Sequence, residues 1–266
     1  MRRGVSDLPY LPWSPLIFAE PRRFDEARQA WERGAAQHPE HEQLQAEVEA
    51  LREYDGARAV DGTAAPAASG RVTATPLELS KGRRVFLSTR PLLDRATCAR
   101  AIELCEAKAA AAGGWSTKRH TTVPTTDMEV RSQPDVLRLF NDACATAIFP
   151  AMAAMYAELG VSASALRVSD AFVVRYDAAA QRSLPTHVDD SHFSITIALN
   201  ALAEYDGGGT YFEDLEGAVK PEQGHVVAFP GSLRHGGQPI TRGRRYVIAA
   251  FLSVAGWRPP AHWEAT

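Results

Sequence analysis

Between Arg167 and Val254 the chain is a series of short apolar runs separated by turns: "RVSDAFVVRY", "HFSITIALN", "GTYFED", "GHVVAF" and "RRYVIAAFLSV". Runs of this length, rich in Val, Ile, Phe and Tyr and bounded by Gly and Pro, read as strands. Several at close spacing make a sandwich or barrel. Two helix-forming stretches come before them. "LLDRATCARAIELCEAKAAAAGG" is stopped by Gly113 and Gly114, and "QPDVLRLFNDACATAIFPAMAAMYAELG" ends at Gly160. A short strand, "RRVFLS", precedes both. Helices first and many strands afterwards predict an α+β domain, with helices buttressing a compact β structure.

Farther upstream, "RFDEARQAWERGAAQHPEHEQLQAEVEALREY" forms amphipathic helix interrupted at Pro39, and "DGARAVDGTAAPAASGRVTATP" has the small-residue composition of a linker. The expected organisation is an N-terminal helical extension over 1–56, a linker over 57–76, the main domain over 77–258 and a tail over 259–266. At 266 residues and 45% hydrophobic, the chain can bury a core of ordinary size. A net charge of −3 and a pI near 6.3 argue against a nucleic-acid surface. No apolar run approaches the ~18 residues of a membrane span. The N-terminus is broken by prolines and lacks the continuous apolar region of a secretory signal. Three cysteines, Cys98, Cys105 and Cys144, form no CxxC pair and read as reduced thiols. A cytoplasmic protein with neither membrane nor nucleic-acid partner is the expectation.

The chemistry concentrates in "LPTHVDDSHFSITIALN", where His187, Asp189, Asp190 and His192 fall within six residues. Residues two apart share a face of a strand. If the extended geometry runs through the stretch, His187 and Asp189 lie on the apolar face with Phe193, Ile195, Ile197 and Leu199. Asp190 and His192 then lie on the other face. A His-x-Asp pair supplies a neutral nitrogen and an anionic oxygen at adjacent corners of an octahedron. A distant histidine completes the two-histidine, one-carboxylate facial triad of non-haem Fe(II) oxygenases.

Downstream, His225 opens an apolar strand, and His262 lies in the tail. His235 follows the turn "PGSL" and begins a Gly-rich return, where a side chain can point across a barrel mouth. It is the better third ligand. Ten residues later comes Arg245, at the start of the next strand. A buried arginine offers a planar fork matched to a carboxylate. Iron ligands at one end of a pocket and an anion clamp at the other suit a dicarboxylate with a 2-oxo acid end, which is 2-oxoglutarate. Arg244 should face the opposite way, and Arg242 lies in the turn. Both are expected to be solvated.

With these motifs in place, the segment from Val123 to Val254 resembles the 2-oxoglutarate/Fe(II) dioxygenases of the prolyl 4-hydroxylase type. Within them it is most similar to the catalytic domain of procollagen lysyl hydroxylases. "FVVRYDAAAQRSLPTHVDDSHFSITIALN", "YDGGGTYF" and "PGSLRHGGQPITRGRRY" carry the resemblance in order. It implies a double-stranded β-helix, of the jelly-roll or cupin type. It also implies His187, Asp189 and His235 as iron ligands and catalytic residues, and Arg245 pairing with the distal carboxylate of 2-oxoglutarate. Tyr176 and Thr210 match positions whose hydroxyls assist that carboxylate.

The cofactors implied are Fe(II), 2-oxoglutarate and O2, with ascorbate as reductant. The reaction implied is hydroxylation of an unactivated C–H, of a peptidyl lysine or proline, coupled to decarboxylation of 2-oxoglutarate to succinate. Asp189 separates such hydroxylases from the related halogenases, which lack this carboxylate. The stretch after the distal histidine, "GGQPI", has the shorter prolyl-type length. The large upstream domains of lysyl hydroxylases are missing here, so a substrate other than collagen is expected. A free amino acid or small metabolite is the alternative substrate, and a non-catalytic β-helix binding module the alternative class.

Overall fold

The computed structural model describes residues 32–41, 45, 48–49, 74–79, 82–117, 119 and 123–264. Of the expected N-terminal extension, residues 32–37 are helical and the chain turns at Pro39. The linker lies outside the described residues up to position 73.

Helix α1 (Arg95–Ala111) begins where the Asp94 carboxylate accepts the Thr97 N–H, which satisfies one of the free donors of the first turn. It buries Cys98, Ala101, Cys105 and Ala109, a spacing that keeps one stripe against the sheet. Helix α2 (Pro134–Ala143) starts on a proline, whose missing N–H costs nothing there. The next proline, Pro150, would break a regular helix. A π-turn over Cys144–Ile148 comes immediately before it, and the chain resumes as α3 (Phe149–Met155). Gly160, in the left-handed region at φ 71°, ends the helical stretch.

Two antiparallel sheets make the β-rich part. The larger contains β1 (Ala74–Glu78), β2 (Arg84–Ser88), β10 (Val226–Pro230), β6 (Phe193–Ala198), β12 (Ile240–Val254), β4 (Leu166–Asp177) and β3 (Asp127–Glu129) in that order. Strand β7 (Tyr205–Gly207) pairs with the start of β12. The smaller sheet runs β5 (Leu184–His187), β11 (His235–Gly237), β8 (Thr210–Phe212) and β9 (Ala218–Val219). Strands close in sequence alternate between the sheets, β5 to β6 and β10 to β11, and this winding is the double-stranded β-helix. The first strand begins at Ala74, ahead of the boundary expected at 77.

Alternation sorts the long strands into two faces. Ala171 and Val173 of β4, Phe193, Ile195 and Ile197 of β6, and Ile248, Ala250 and Leu252 of β12 pack with the helices in the main core. Each large aliphatic side chain so buried is worth about 1.5–3 kcal/mol. The opposite faces of β4, β6 and β12 look between the sheets. The expected tail is docked on the main core: Trp263 is 5% exposed and stacks edge-on against Phe193. No helix among the described residues is long and apolar enough to cross a membrane.

Candidate active site

Strands β5 and β11 pair so that His187 stands directly opposite His235, with ring centroids 4.5 Å apart. Each ring is tied by the same local device. His187 Nδ1 lies 2.8 Å from the Pro185 carbonyl, and His235 Nδ1 lies 2.8 Å from the Leu233 carbonyl. A carbonyl only accepts, so both Nδ1 atoms carry the proton and both Nε2 atoms face inward. Asp189 sits in the bend after β5. Its backbone N–H donates to the Gly231 carbonyl at 2.9 Å, and the Ser194 hydroxyl donates to Oδ2 at 2.6 Å. The two carboxylate oxygens lie 3.4 Å from His187 Nε2 and 3.4 Å from His235 Nε2.

Burial pushes the Asp189 carboxyl up, but the two histidines reverse that and hold it well below the usual carboxylate range. The side chain is therefore ionised. Three ligand atoms, all within 4.8 Å of one another, converge on one point. Two imidazole nitrogens and one carboxylate are a donor set suited to Fe(II), and a divalent cation would satisfy all three lone pairs.

The alternation argument fails here, and the reason is topological. His187 belongs to the smaller sheet and Phe193 to the larger one, and residues 188–192 cross between them without strand structure. Phase is lost at the crossing. Phe193 and Ile197 pack in the main core away from the cavity, whereas Ser194 and Thr196 share the cavity with His187 and Asp189. The crossing depends on Gly231: a Cβ there would lie 2.4 Å from the Ser191 carbonyl oxygen.

At the inner end, Arg245 is 2% exposed and pairs in register with Tyr176 across β12 and β4. Its guanidinium carbon lies 5.1 Å from the centre of the Tyr176 ring. Its Nη2 is buried with no hydrogen-bond partner. A buried guanidinium donor left unpaired is costly, and a carboxylate arriving in the cavity would satisfy it. Burial raises the hydroxyl pKa of both Tyr176 and Tyr205, with Arg245 acting against it in each case. Thr210 is buried with its hydroxyl 3.5 Å from that of Thr196. Gly237 leaves the space Tyr176 occupies, since a Cβ there would lie 2.8 Å from the Tyr176 hydroxyl. Arg244 and Arg242 are solvated and ion-paired, to Asp177 and Asp206 at 2.7 Å each.

One cavity of ≈590 Å³ holds both ends, with Arg245, Tyr176 and Thr210 lining it together with His187, Asp189 and His235. That is an ordinary size for a small-molecule site. Val174, Val247, Ala249 and Phe251 supply apolar wall. At the mouth, Arg119 binds Asp127 at 2.6 Å and Asp170 at 2.9 Å, and lies over the Phe172 ring.

The remaining candidates go elsewhere. His225 donates from Nδ1 to the Ser88 carbonyl at 2.7 Å. His192 accepts the Val254 N–H on Nδ1 and stacks against Trp257; burial lowers its pKa to about 4. Asn200 ties β6 to β12 through Arg244 O and Tyr246 N. The His262 side chain lies outside the described residues. All three cysteines are buried and free, with burial raising Cys98 and Cys105 to about 12. Sequence reasoning missed Ser194, Tyr205 and Arg119. Ser194 was within reach, because it sits in the motif beside the Asp, but strand alternation assigned it to the wrong face.

Residues 171–253 match the profile of the 2OG-Fe(II) oxygenase superfamily. The procollagen-lysine,2-oxoglutarate 5-dioxygenase 1 of Rattus norvegicus is 44% identical over 86 residues, 31% of this chain and 12% of that protein. The multifunctional procollagen lysine hydroxylase and glycosyltransferase LH3 of the same species is 31% identical over 181 residues, 61% of this chain and 22% of that protein. This chain therefore spans less than a quarter of the length of either relative. The crystal structure of SnoK, a non-heme alpha ketoglutarate dependent carbocyclase from nogalamycin biosynthesis, aligns with a TM-score of 0.50 at 14% identity. It covers 66% of this chain and 83% of that one, a likeness of fold.

Proposed function

We propose, from the match of residues 171–253 to the 2OG-Fe(II) oxygenase superfamily, that the chain is an Fe(II)- and 2-oxoglutarate-dependent dioxygenase. Its reaction is hydroxylation of an unactivated C–H of a peptidyl lysine or proline, with 2-oxoglutarate converted to succinate. The observation that carries this reading is the unpaired Nη2 of Arg245, buried in the same cavity as the converging His187, Asp189 and His235. A metal-binding protein of another kind has no need of a second, buried anion-binding end. The lysyl hydroxylases among the relatives support the substrate class, and the three buried thiols fit a reducing, cytoplasmic-type compartment.

In this reading His187, Asp189 and His235 hold Fe(II). Bound iron and 2-oxoglutarate supply the activation of O2 and the oxidising power for C–H hydroxylation, with ascorbate keeping the metal reduced. The chain's own residues do the positioning. The Pro185 and Leu233 carbonyls fix the imidazole tautomers, so each Nε2 reaches the metal unprotonated. Ser194 and the Gly231 carbonyl hold Asp189 in place against both rings. Arg245, with the Tyr176 and Thr210 hydroxyls, orients the distal carboxylate of 2-oxoglutarate. Apolar wall from Val174, Val247 and Ala249 excludes bulk water from the reacting centre.

The test is spectroscopic. Anaerobic addition of Fe(II) and 2-oxoglutarate should produce a metal-to-ligand charge-transfer band. Absence of the band at saturating concentrations of both would overturn the proposal. A screen of succinate release over lysine- and proline-containing peptides and the free amino acids, with mass spectrometry for an added oxygen, then identifies the substrate.

A further inference from the structure

Among the cavity residues not used by the iron or the co-substrate, Val188 and Asp190 flank Asp189 on either side. Val188 is 53% exposed, the one large hydrophobic side chain so exposed among the described residues. Asp190 is exposed too, and both line the cavity mouth. An isolated valine at this exposure, at the lip of a catalytic cavity, is apolar surface available to a substrate.

Asp190 differs from the other carboxylates near the mouth. Asp170 and Glu129, which line the cavity, are engaged by Arg119 at 2.9 and 3.4 Å, and Glu129 also by Arg131 at 3.2 Å. Asp190 makes no hydrogen bond or ion pair with any described residue. Among the buried side-chain atoms of the described cavity residues, the unpaired cationic donor is Arg245 Nη2, at the far end. Anion recognition therefore belongs to the inner end of the cavity and cation recognition to the outer end.

We infer that Val188 and Asp190 form a subsite for an aliphatic ammonium group, in which Val188 packs on the methylene stem and Asp190 pairs with the charged tip. The ligand chemistry is that of a side chain with an apolar stem and a cationic end. Its source is a lysine within a peptide or free lysine itself. This rests on the dioxygenase reading for the identity of the cavity as the active site. Asp190 is on this account a specificity-determining residue.

The experiment is equilibrium binding to the anaerobic enzyme loaded with Fe(II) and 2-oxoglutarate. The probes are a peptide with one central lysine and the same peptide with norleucine, which keeps the stem and removes the ammonium. Free lysine and free norleucine form a second pair that separates the two sources. The wild type should prefer at least one lysine probe over its norleucine partner by about tenfold or more. Asp190→Asn should bring that ratio to within about twofold, and Asp190→Glu should restore most of it. Val188→Ser should weaken lysine and norleucine probes alike. Loss of preference in neither variant of the carboxylate, or no preference in the wild type for either pair, overturns the subsite. The charge-transfer band reports separately. A band with no lysine preference sinks this inference alone, and lysine preference lost in Asp190→Asn without a band sinks the dioxygenase reading while the subsite stands.

Discussion

Two pairs of histidines occupy different regions of the β-rich half, and their local bonding separates them. His187 and His235 lie on the smaller sheet, each donating from Nδ1 to the carbonyl two residues before it, and each presenting Nε2 to Asp189. His192 and His225 lie along the larger sheet and spend Nδ1 on distant backbone, at Val254 and Ser88. The first pair is held by its own segment and keeps a nitrogen for a ligand. The second pair uses the ring to fasten one strand end to another. Both pairs are close to the same motifs in sequence, so proximity to Asp189 along the chain is a poor guide to which ring turns a nitrogen toward its carboxylate.

The largest expected effect breaks the first pair. Asp189→Ala or His235→Ala should weaken Fe(II) or Mn(II) binding by about 100-fold or more, read by titration or by loss of the metal-induced rise in melting temperature. His192→Ala and His225→Ala should leave metal affinity within about threefold. Their cost should appear as about 1–3 kcal/mol of stability in denaturant unfolding, for the backbone bonds they lose. The opposite ranking would dissolve the distinction between the pairs.

Acid titration sharpens the comparison from the side of the second pair. Burial holds His192 near a pKa of about 4 in the folded chain, against 6.5 for the free residue. The unfolded chain therefore takes up the proton first as pH falls. The stability contributed by neutral His192 is complete above about 6.5 and is lost between there and about 4. His192→Gln should flatten that part of the stability profile.

Smaller effects probe the supports of the first pair and the clamp beyond it. Gly237→Ala places a Cβ against the Tyr176 hydroxyl, and displacing that ring should weaken 2-oxoglutarate about tenfold with metal affinity retained. Ser194→Ala removes one hydrogen bond to Asp189 and should cost metal affinity by no more than about tenfold. If Ser194→Ala costs as much as Asp189→Ala, the serine is itself a ligand.

Much of the site was legible from the sequence, because its parts are local. A His-x-Asp pair ahead of an apolar run, a Gly-flanked histidine after a turn, and an arginine one strand later are patterns of spacing. Spacing survives folding. Arg245 was separable from Arg244 for the same reason: both lie within one continuous strand, where neighbours must face opposite ways. The helix limits at Gly113, Gly114 and Gly160 were likewise readable from residues that tolerate the left-handed region.

Only the tertiary structure decided what happens between elements. Residues 188–192 cross from one sheet to the other, so the phase of β5 does not carry into β6, and Ser194 rather than Phe193 meets Asp189. The register that sets His235 opposite His187 joins residues far apart in the chain. So do the packing that leaves Arg245 Nη2 unpaired and the arginine contacts that engage Asp170 and Glu129 but not Asp190. Side-chain alternation is a property of one uninterrupted strand. Which strands become neighbours depends on the burial of the whole core, and no stretch of this sequence contains that by itself.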